Sequence, residues 1–298
     1  MNFKKMISVN LKSHSAKTIF VVQVAVILLL LASCSSPKIN SIKNSSSEDY
    51  SLVWSDEFNR NGAVDTSIWH FEEGLVRNHE YQWYQKENAW QENGFLIIEA
   101  RREKKLNPNY NPLSSDWRKA IQDIQYTSSS INTSKSKYFV YGRFEIRARI
   151  NTESGLWPAF WTLGVRGEWP SNGEIDIMEY YKGNLLANVA YASSIRYKAK
   201  WFTEKKTVSS FNDPNWDKKF HTWRMDWNEE SINLYVDNLL MNEVLLKDAK
   251  NPDGFNPFKQ PHYILLNLAI GGDNGGDPSN SKFPNRYEID YVRVYQKK

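Results

Sequence analysis

From Tyr50 onward the chain never sustains the three-to-four-residue apolar spacing of a long amphipathic helix. Its apolar residues come in short runs broken by Gly, Asn, Pro and Asp. In Gly142–Ile150, Phe144, Ile146, Ala148 and Ile150 alternate with Arg143, Glu145, Arg147 and Arg149. Period two is the signature of a strand with one face buried. Phe95–Ala100 and Ser231–Asp237 are further short runs of strand character. Many short strands punctuated by turn residues predict an all-β sandwich, and one domain of this length can bury a large core. Lys104–Gln125, with its Asn107-Pro108-Asn109-Tyr110-Asn111-Pro112 stretch, breaks the rhythm. It reads as an insertion between strands that either lines a cleft or decorates the surface.

The formal net charge of +4 comes from the N-terminal end. Residues 1–47 hold six Lys and no acid; without them the body carries 32 basic and 34 acidic side chains, a net of −2. No run of Lys and Arg suits a phosphate backbone, so nucleic acid is not an expected partner. Lys4, Lys5, Lys12 and Lys17 precede an apolar run from Ile19 to Ala32, interrupted only by Gln23. That run is shorter than the roughly 20 apolar residues of a membrane span and reads as an export signal. Leu31-Ala32-Ser33-Cys34 resembles a bacterial lipoprotein processing box. The resemblance implies removal of residues 1–33, lipid on Cys34 and attachment to a bacterial membrane. Cys34 is the only cysteine, so neither an internal disulfide nor a cysteine metal cluster is possible. Residues 34–49, rich in Ser, Asn and Lys, have the composition of a tether. The remaining 50–298 form the expected single domain, and a monomer is expected.

Three acids crowd one segment, Glu174-Ile175-Asp176-Ile177-Met178-Glu179, after the loop Trp169-Pro170-Ser171-Asn172-Gly173. On a strand, Glu174 and Asp176 share a face while Ile175 and Ile177 take the other. Glu179 has the wrong parity, and one inserted residue, a β-bulge, restores it to the acidic face. The outer Cα atoms then lie about 13 Å apart. Leaning side chains on a bent strand can close this to the ~5 Å used by retaining glycosidases. The Asp between them raises a neighbouring carboxyl pKa, so one Glu serves as acid while the other stays ionised. Taken alone, three acids are equally a metal site or a solvated strand face. A helix would pair Glu174 with Met178, which serves no chemistry.

The surroundings decide between these readings. Glu174–Glu179 resembles the bulged, six-residue active-site motif of glycoside hydrolase family sixteen, as found in laminarinases and related β-glucanases. Trp54–Phe58, Asn78-His79-Glu80 with Gln82 and Tyr84, Gly155–Leu163, Phe220–Trp223, Leu266–Gly272 and Asp290–Tyr295 follow in the family's order. The resemblance covers about residues 50–298. It implies a β-jelly roll of two curved antiparallel sheets with a cleft on the concave face, and retaining endo-hydrolysis of a β-linked polysaccharide without a catalytic cofactor. By position Glu174 is the nucleophile, Glu179 the acid/base and Asp176 the group that orients and tunes them. Asn78 and Asn267 match positions that bond sugar hydroxyls. Trp157, Trp161 and Trp169 are candidate stacking platforms or core residues, and His221 is a binding or structural histidine. Some members hold a structural calcium; Glu57, Asp290 and the backbone near Gly94 stand at the matching places. One departure stands out. Many laminarinases carry a His in the strand after the catalytic one, and Ala187–Ala192 has none, which favours mixed β-1,3/1,4-glucan over laminarin alone. A galactan hydrolase, a transglycosylase and a non-catalytic sugar-binding protein remain competing readings. The last would have lost an acid, and all three acids are present.

Overall fold

The computed structural model describes residues 49–298. The export signal, Cys34 and all of the tether except Asp49 lie outside the described residues. Two large sheets face each other across one core. Their strand pairs run antiparallel; Gln82–Tyr84 is the exception, pairing parallel with Asp123–Ser128 at the margin of the larger sheet. The strand Gly142–Arg149 alternates buried and partly exposed residues along its whole length, as its sequence requires. It sits between His221–Trp227 and the C-terminal strand Asn285–Lys297.

The smaller, seven-stranded sheet carries the acids. Its central strands are Leu156–Gly164, Glu174–Tyr181 and Asn184–Ala192, with Ala199–Thr207 at one edge and His262–Ile270 on the other side of Leu156–Gly164. Phe160, Ile175, Ile177, Met178 and Val189 enter the core and meet Phe144, Ile146, Trp223 and Val292 from the larger sheet. The opposite face is also partly apolar. Ala159, Trp161 and Leu265 form a separate cluster there, with Leu163 and Tyr263 against it. A strand apolar on both faces shows no clean alternation, and Leu156–Gly164 is such a strand.

The predicted bulge is present. Pairing between the catalytic strand Glu174–Tyr181 and its neighbour Asn184–Ala192 runs Glu174↔Ala190, Asp176↔Asn188, then shifts and resumes at Glu179↔Leu186. Ile177 and Met178 both turn into the core, at 1% and 0% exposure, so two successive side chains share one face and Glu179 regains the acidic one. The register is pinned by the two-residue hairpin Lys182-Gly183, both at positive φ (49° and 78°), with Tyr181↔Asn184 closing it.

Lys104–Gln125 is the tip of a hairpin between Phe95–Leu106 and Asp123–Ser128, with one helical turn at Trp117–Ala120. Trp117 packs on a small cluster of Leu75, Trp83 and Ile124, and its ring lies 4.9 Å from that of His79. The insertion contributes nothing to the cleft lining and supports the 75–83 segment from behind.

Gly173, immediately before Glu174, has φ +77°, and a Cβ there would meet Pro257 Cβ at 2.8 Å. Gly173→Ala is therefore expected to lower unfolding free energy by about 1–3 kcal/mol, measured by urea denaturation, and to reduce turnover because the strain is released next to Glu174.

Candidate active site

A cleft of about 730 Å³ crosses the outer face of the smaller sheet, lined by all three acids together with Asn78, Trp157, Trp161, Trp169 and Asn267. Eight of the nine residues expected to act on sugar thus meet in one place. The exception is His221. It lies on the larger sheet, 8% exposed, stacked 4.0 Å from the Trp216 ring, with Nδ1 at 2.8 Å from Asp237 and Nε2 at 2.9 Å from the Trp216 carbonyl. Both ring nitrogens are occupied by structural partners, so His221 holds a loop in place and does not reach the cleft.

Each acid has a distinct setting. The Trp169 indole donates to Glu174 Oε2 at 2.5 Å. The Trp157 indole donates to Glu179 Oε1 at 2.8 Å. Both rings therefore do more than offer an apolar surface: Trp157 is buried at 5% exposure, and Trp169 stands at the rim at 40%. Asn188, on the next strand, donates its amide to Asp176 Oδ2 at 3.0 Å and to Glu179 Oε2 at 2.7 Å. It stands in the stretch where the sequence lacks the expected His. The visible signal was a single polar residue among Leu, Ala and Val in Leu185–Ala190.

Burial shifts all three carboxyls upward. For Asp176, desolvation and the charges of Glu179 and Glu174 push the pKa well above the ordinary range, which favours its protonated form and a hydrogen bond to Glu174. Glu174 rises through desolvation, opposed by hydrogen bonds from Trp169 and Asp176 and by the Arg77 charge. Glu179 rises to about 7, through desolvation first and the Glu174 charge next, against hydrogen bonds from Trp157 and Asn188. Glu174, whose ionised form is favoured by Trp169, Asp176 and Arg77, is placed to attack an anomeric carbon. Glu179 is poised to give a proton to the leaving oxygen and later to take one from water.

On the far side of Trp161 lies a polar wall that sequence reading only touched. The Trp161 indole donates to Asn267 Oδ1 at 2.7 Å, and Asn267 donates to Tyr84 Oη at 3.2 Å. Tyr84 and Gln82 donate to Glu80 Oε2 at 3.1 and 2.7 Å, and Asn78 to Oε1 at 3.2 Å. Arg77 pairs with Glu72 and lies 5.1 Å from the Trp161 ring centre. Burial raises the Glu80 pKa even against the Arg77 charge. Arg77 and Glu72 carry no motif signal; they sit in a loop-like stretch of ordinary composition.

The calcium expectation does not fit the side chains. Glu57 is held by both Arg293 Nε and Nη2, at 2.9 and 2.7 Å, and Asp290 is paired with Arg147 Nη1 at 2.5 Å. Guanidinium groups already neutralise both proposed ligands. Among the described residues no group of three or more His, Cys, Asp or Glu side chains is placed to hold a metal ion.

A sandwich with an open cleft and two glutamates flanking an aspartate on the same strand face is the arrangement of a glycoside hydrolase. The chain belongs to glycosyl hydrolases family 16, whose profile matches residues 77–293. It is 33% identical over 289 residues to a β-glucanase of Rhodothermus marinus, a match covering 91% of this chain and 93% of that one. It is 32% identical over 271 residues to glucan endo-1,3-β-glucosidase A1 of Niallia circulans, covering 82% of this chain but only 38% of the relative. A solved structure from work on endo-acting O-glycanases of the human gut microbiota that initiate mucin breakdown superposes with a TM-score of 0.77. Its identity is 34%, over 85% of this chain and 92% of that one.

Turnover should rise as Glu174 ionises and fall as pH passes about 7, where Glu179 loses the proton it must donate. Glu179→Gln should remove that basic limb and lower kcat by about 10²–10⁴-fold. Because Asn188 holds the Glu179 pKa down, Asn188→Ala should move the basic limb to higher pH; a limb that stays in place or moves down contradicts the assignment. Stability carries the same signature. With the native pKa of Glu179 raised from 4.5 to about 7, the native state holds the extra proton in that window, so stability falls as pH rises across it. Melting temperatures between pH 5 and 8 should therefore slope less steeply in Glu179→Gln than in the parent.

Proposed function

We propose that the chain is a retaining endo-β-glucanase that cuts β-1,3- or mixed β-1,3/1,4-glucan through a covalent glycosyl-enzyme on Glu174. The observation that carries this is the placement of Glu174 and Glu179 on one strand face across the bulge, each held by an indole N–H, in a cleft open enough for a chain to lie across. The similar β-glucanase and endo-1,3-β-glucosidase support the substrate class. The charge of the cleft agrees. Among the described residues Arg77 is the only lining cation, and it is already neutralised by Glu72. A neutral glucan fits such a surface better than a sulfated galactan. Trp169 at the rim offers an apolar face to a sugar ring, while the buried Trp161 and Trp157 close the floor.

A second reading, an endo-acting O-glycanase, is favoured by the TM-score of 0.77 to the structure from the mucin work. We also propose export as a lipoprotein anchored through Cys34, supported by the basic and apolar leader and the small residues before that cysteine. Globomycin treatment of an expressing bacterium should then cause an unprocessed precursor to accumulate, and Cys34→Ser should abolish acyl labelling.

The deciding assay measures reducing ends released from laminarin, barley mixed-linkage glucan, agarose, xyloglucan and purified mucin. Release from either of the first two is expected; release from mucin alone would replace the glucanase reading with the O-glycanase one. Glu174→Gln should abolish release while its circular dichroism spectrum matches that of the parent.

A further inference from the structure

Four loops, 133–138, 165–172, 193–198 and 250–256, meet at one end of the sandwich. The third reaches the second through Arg196 and Tyr197, each 3.3 Å from Glu168. Asn251 of the fourth donates to the Ser171 carbonyl at 2.8 Å and accepts from the Ala192 amide at 2.9 Å. The Thr133 amide bonds to the Ile264 carbonyl and the Val165 amide to the Pro261 carbonyl, each at 3.0 Å, so the first two loops flank the start of His262–Ile270. On these loops stand Tyr138, Val165, Ile195, Tyr197 and Phe255, between 38% and 61% exposed. Large apolar side chains gathered on adjoining loops gain nothing from the fold by standing in water, and such grouping marks a contact surface.

The same loops carry Lys135, Lys137, Arg166, Arg196, Lys198 and Lys250, all exposed, against the acids Glu168 and Asp253. Six cations to two acids is a local excess in a body whose net charge is −2. Cations interleaved with aromatic and aliphatic tips match the headgroup layer of an anionic bilayer: the cations meet phosphates while the tips enter the acyl boundary. Asp49 lies at this end too. Its carbonyl accepts from the Lys298 amide, and Tyr50 pairs with Lys297. In the same sheet Tyr295 pairs with Arg143 and Gly142 with Trp227, whose indole donates to the Phe258 carbonyl just beyond the fourth loop. Fifteen residues separate Asp49 from Cys34, a reach of about 50 Å at full extension. Lipid on Cys34 keeps this end of the domain within that distance of a bilayer.

We infer that these four loops dock the domain on an anionic lipid surface, with Ile195, Tyr197 and Phe255 entering the headgroup layer and Arg196 and Lys198 meeting its phosphates. The inference rests on the Cys34 anchor proposed above and extends it from the lipid to the domain. It also sets the attitude of the cleft. The cleft crosses the strands of the smaller sheet, from Asn132 to Thr203 on the edge strand. With the strand ends on the lipid, it lies parallel to the surface and opens sideways at both mouths. A long polymer can then lie in it without either end passing through the membrane plane.

The test uses the full chain, purified from membranes of an expressing bacterium and reconstituted on vesicles that contain brominated lipid. One set is phosphatidylethanolamine with phosphatidylglycerol, the other phosphatidylcholine alone. An acylated Cys34 leaves no free thiol, so one introduced cysteine takes one fluorophore. Ser194→Cys reports the four-loop end. Ser115→Cys reports the other end, where the 104–125 insertion projects and Arg102 reaches the Pro278 and Ser279 carbonyls. Bromine should quench the label at 194 on the anionic vesicles and leave the label at 115 bright. Arg196→Glu combined with Lys198→Glu should lower the docked-to-free ratio more than about tenfold, and high salt should act in the same direction. Quenching at both positions alike, at neither, or at 115 alone, in protein that floats with the vesicles, overturns the docking and leaves the anchor intact. Quenching at 194 that survives the double charge reversal overturns the headgroup assignment. A parent whose Cys34 takes the dye, or that fails to float with neutral vesicles, overturns the anchor, and the docking falls with it.

Discussion

Three carboxyl groups on one desolvated strand face cannot all carry charge, and the rest of the site is organised around which one does. Asp176 lies between the two glutamates and has the least access to water, so it keeps its proton and gives a hydrogen bond to Glu174. That bond, the Trp169 indole and the Arg77 charge all favour the ionised form of Glu174. Glu179 receives weaker help and titrates near neutrality. The division of labour follows from unequal solvation of like groups, and any partner that shifts the balance shifts the working pH range with it.

The donors that set this balance are rigid. Two are indole N–H groups, on Trp157 and Trp169. The third is the Asn188 amide, fixed by the Lys182-Gly183 hairpin and by the shift in register at the bulge. The bulge thus does two things at once. It returns Glu179 to the cleft, and it brings Asp176 and Glu179 within reach of one nitrogen. An unbulged strand of the same composition would turn Glu179 toward the core, where an unpaired carboxyl would be strongly destabilising.

The bulge could be read from sequence because side-chain parity in a strand is a hard constraint: acids at 174, 176 and 179 cannot share a face without an extra residue. The sandwich could be read for the same reason, from alternations such as Phe144–Ile150. What sequence could not supply was the partner of each polar group. His221 sits inside a family-like motif, yet its neighbours in space are Trp216 and Asp237, and these occupy both ring nitrogens. Glu57 and Asp290 look like free oxygen ligands until the fold delivers Arg293 and Arg147 to them. Asn188 carries no motif signal, and its role appears only when the fold sets a neutral donor between two acids. Arg77 and Glu72 announce nothing locally; their role arises only when Trp161 is brought against them.

The asymmetry of the cleft has a consequence for how such an enzyme discriminates. On the glycone side, buried groups bond one another and are fixed in place, so a sugar that fails to match their remaining donors and acceptors has its own hydroxyls desolvated without partners. Rejection there is steep, since each buried unpaired group costs about 1–3 kcal/mol. On the edge-strand side Trp201 and Thr203 present one exposed ring and one hydroxyl. Stacking on an exposed ring tolerates many partners. Selection of linkage and ring type therefore belongs to the buried wall of Glu80, Tyr84 and Asn267, while the acceptor side admits a broader range of leaving chains. A cleft built in this way cuts inside long polymers, because the strict half needs only the rings immediately before the scissile bond and the permissive half accepts whatever follows.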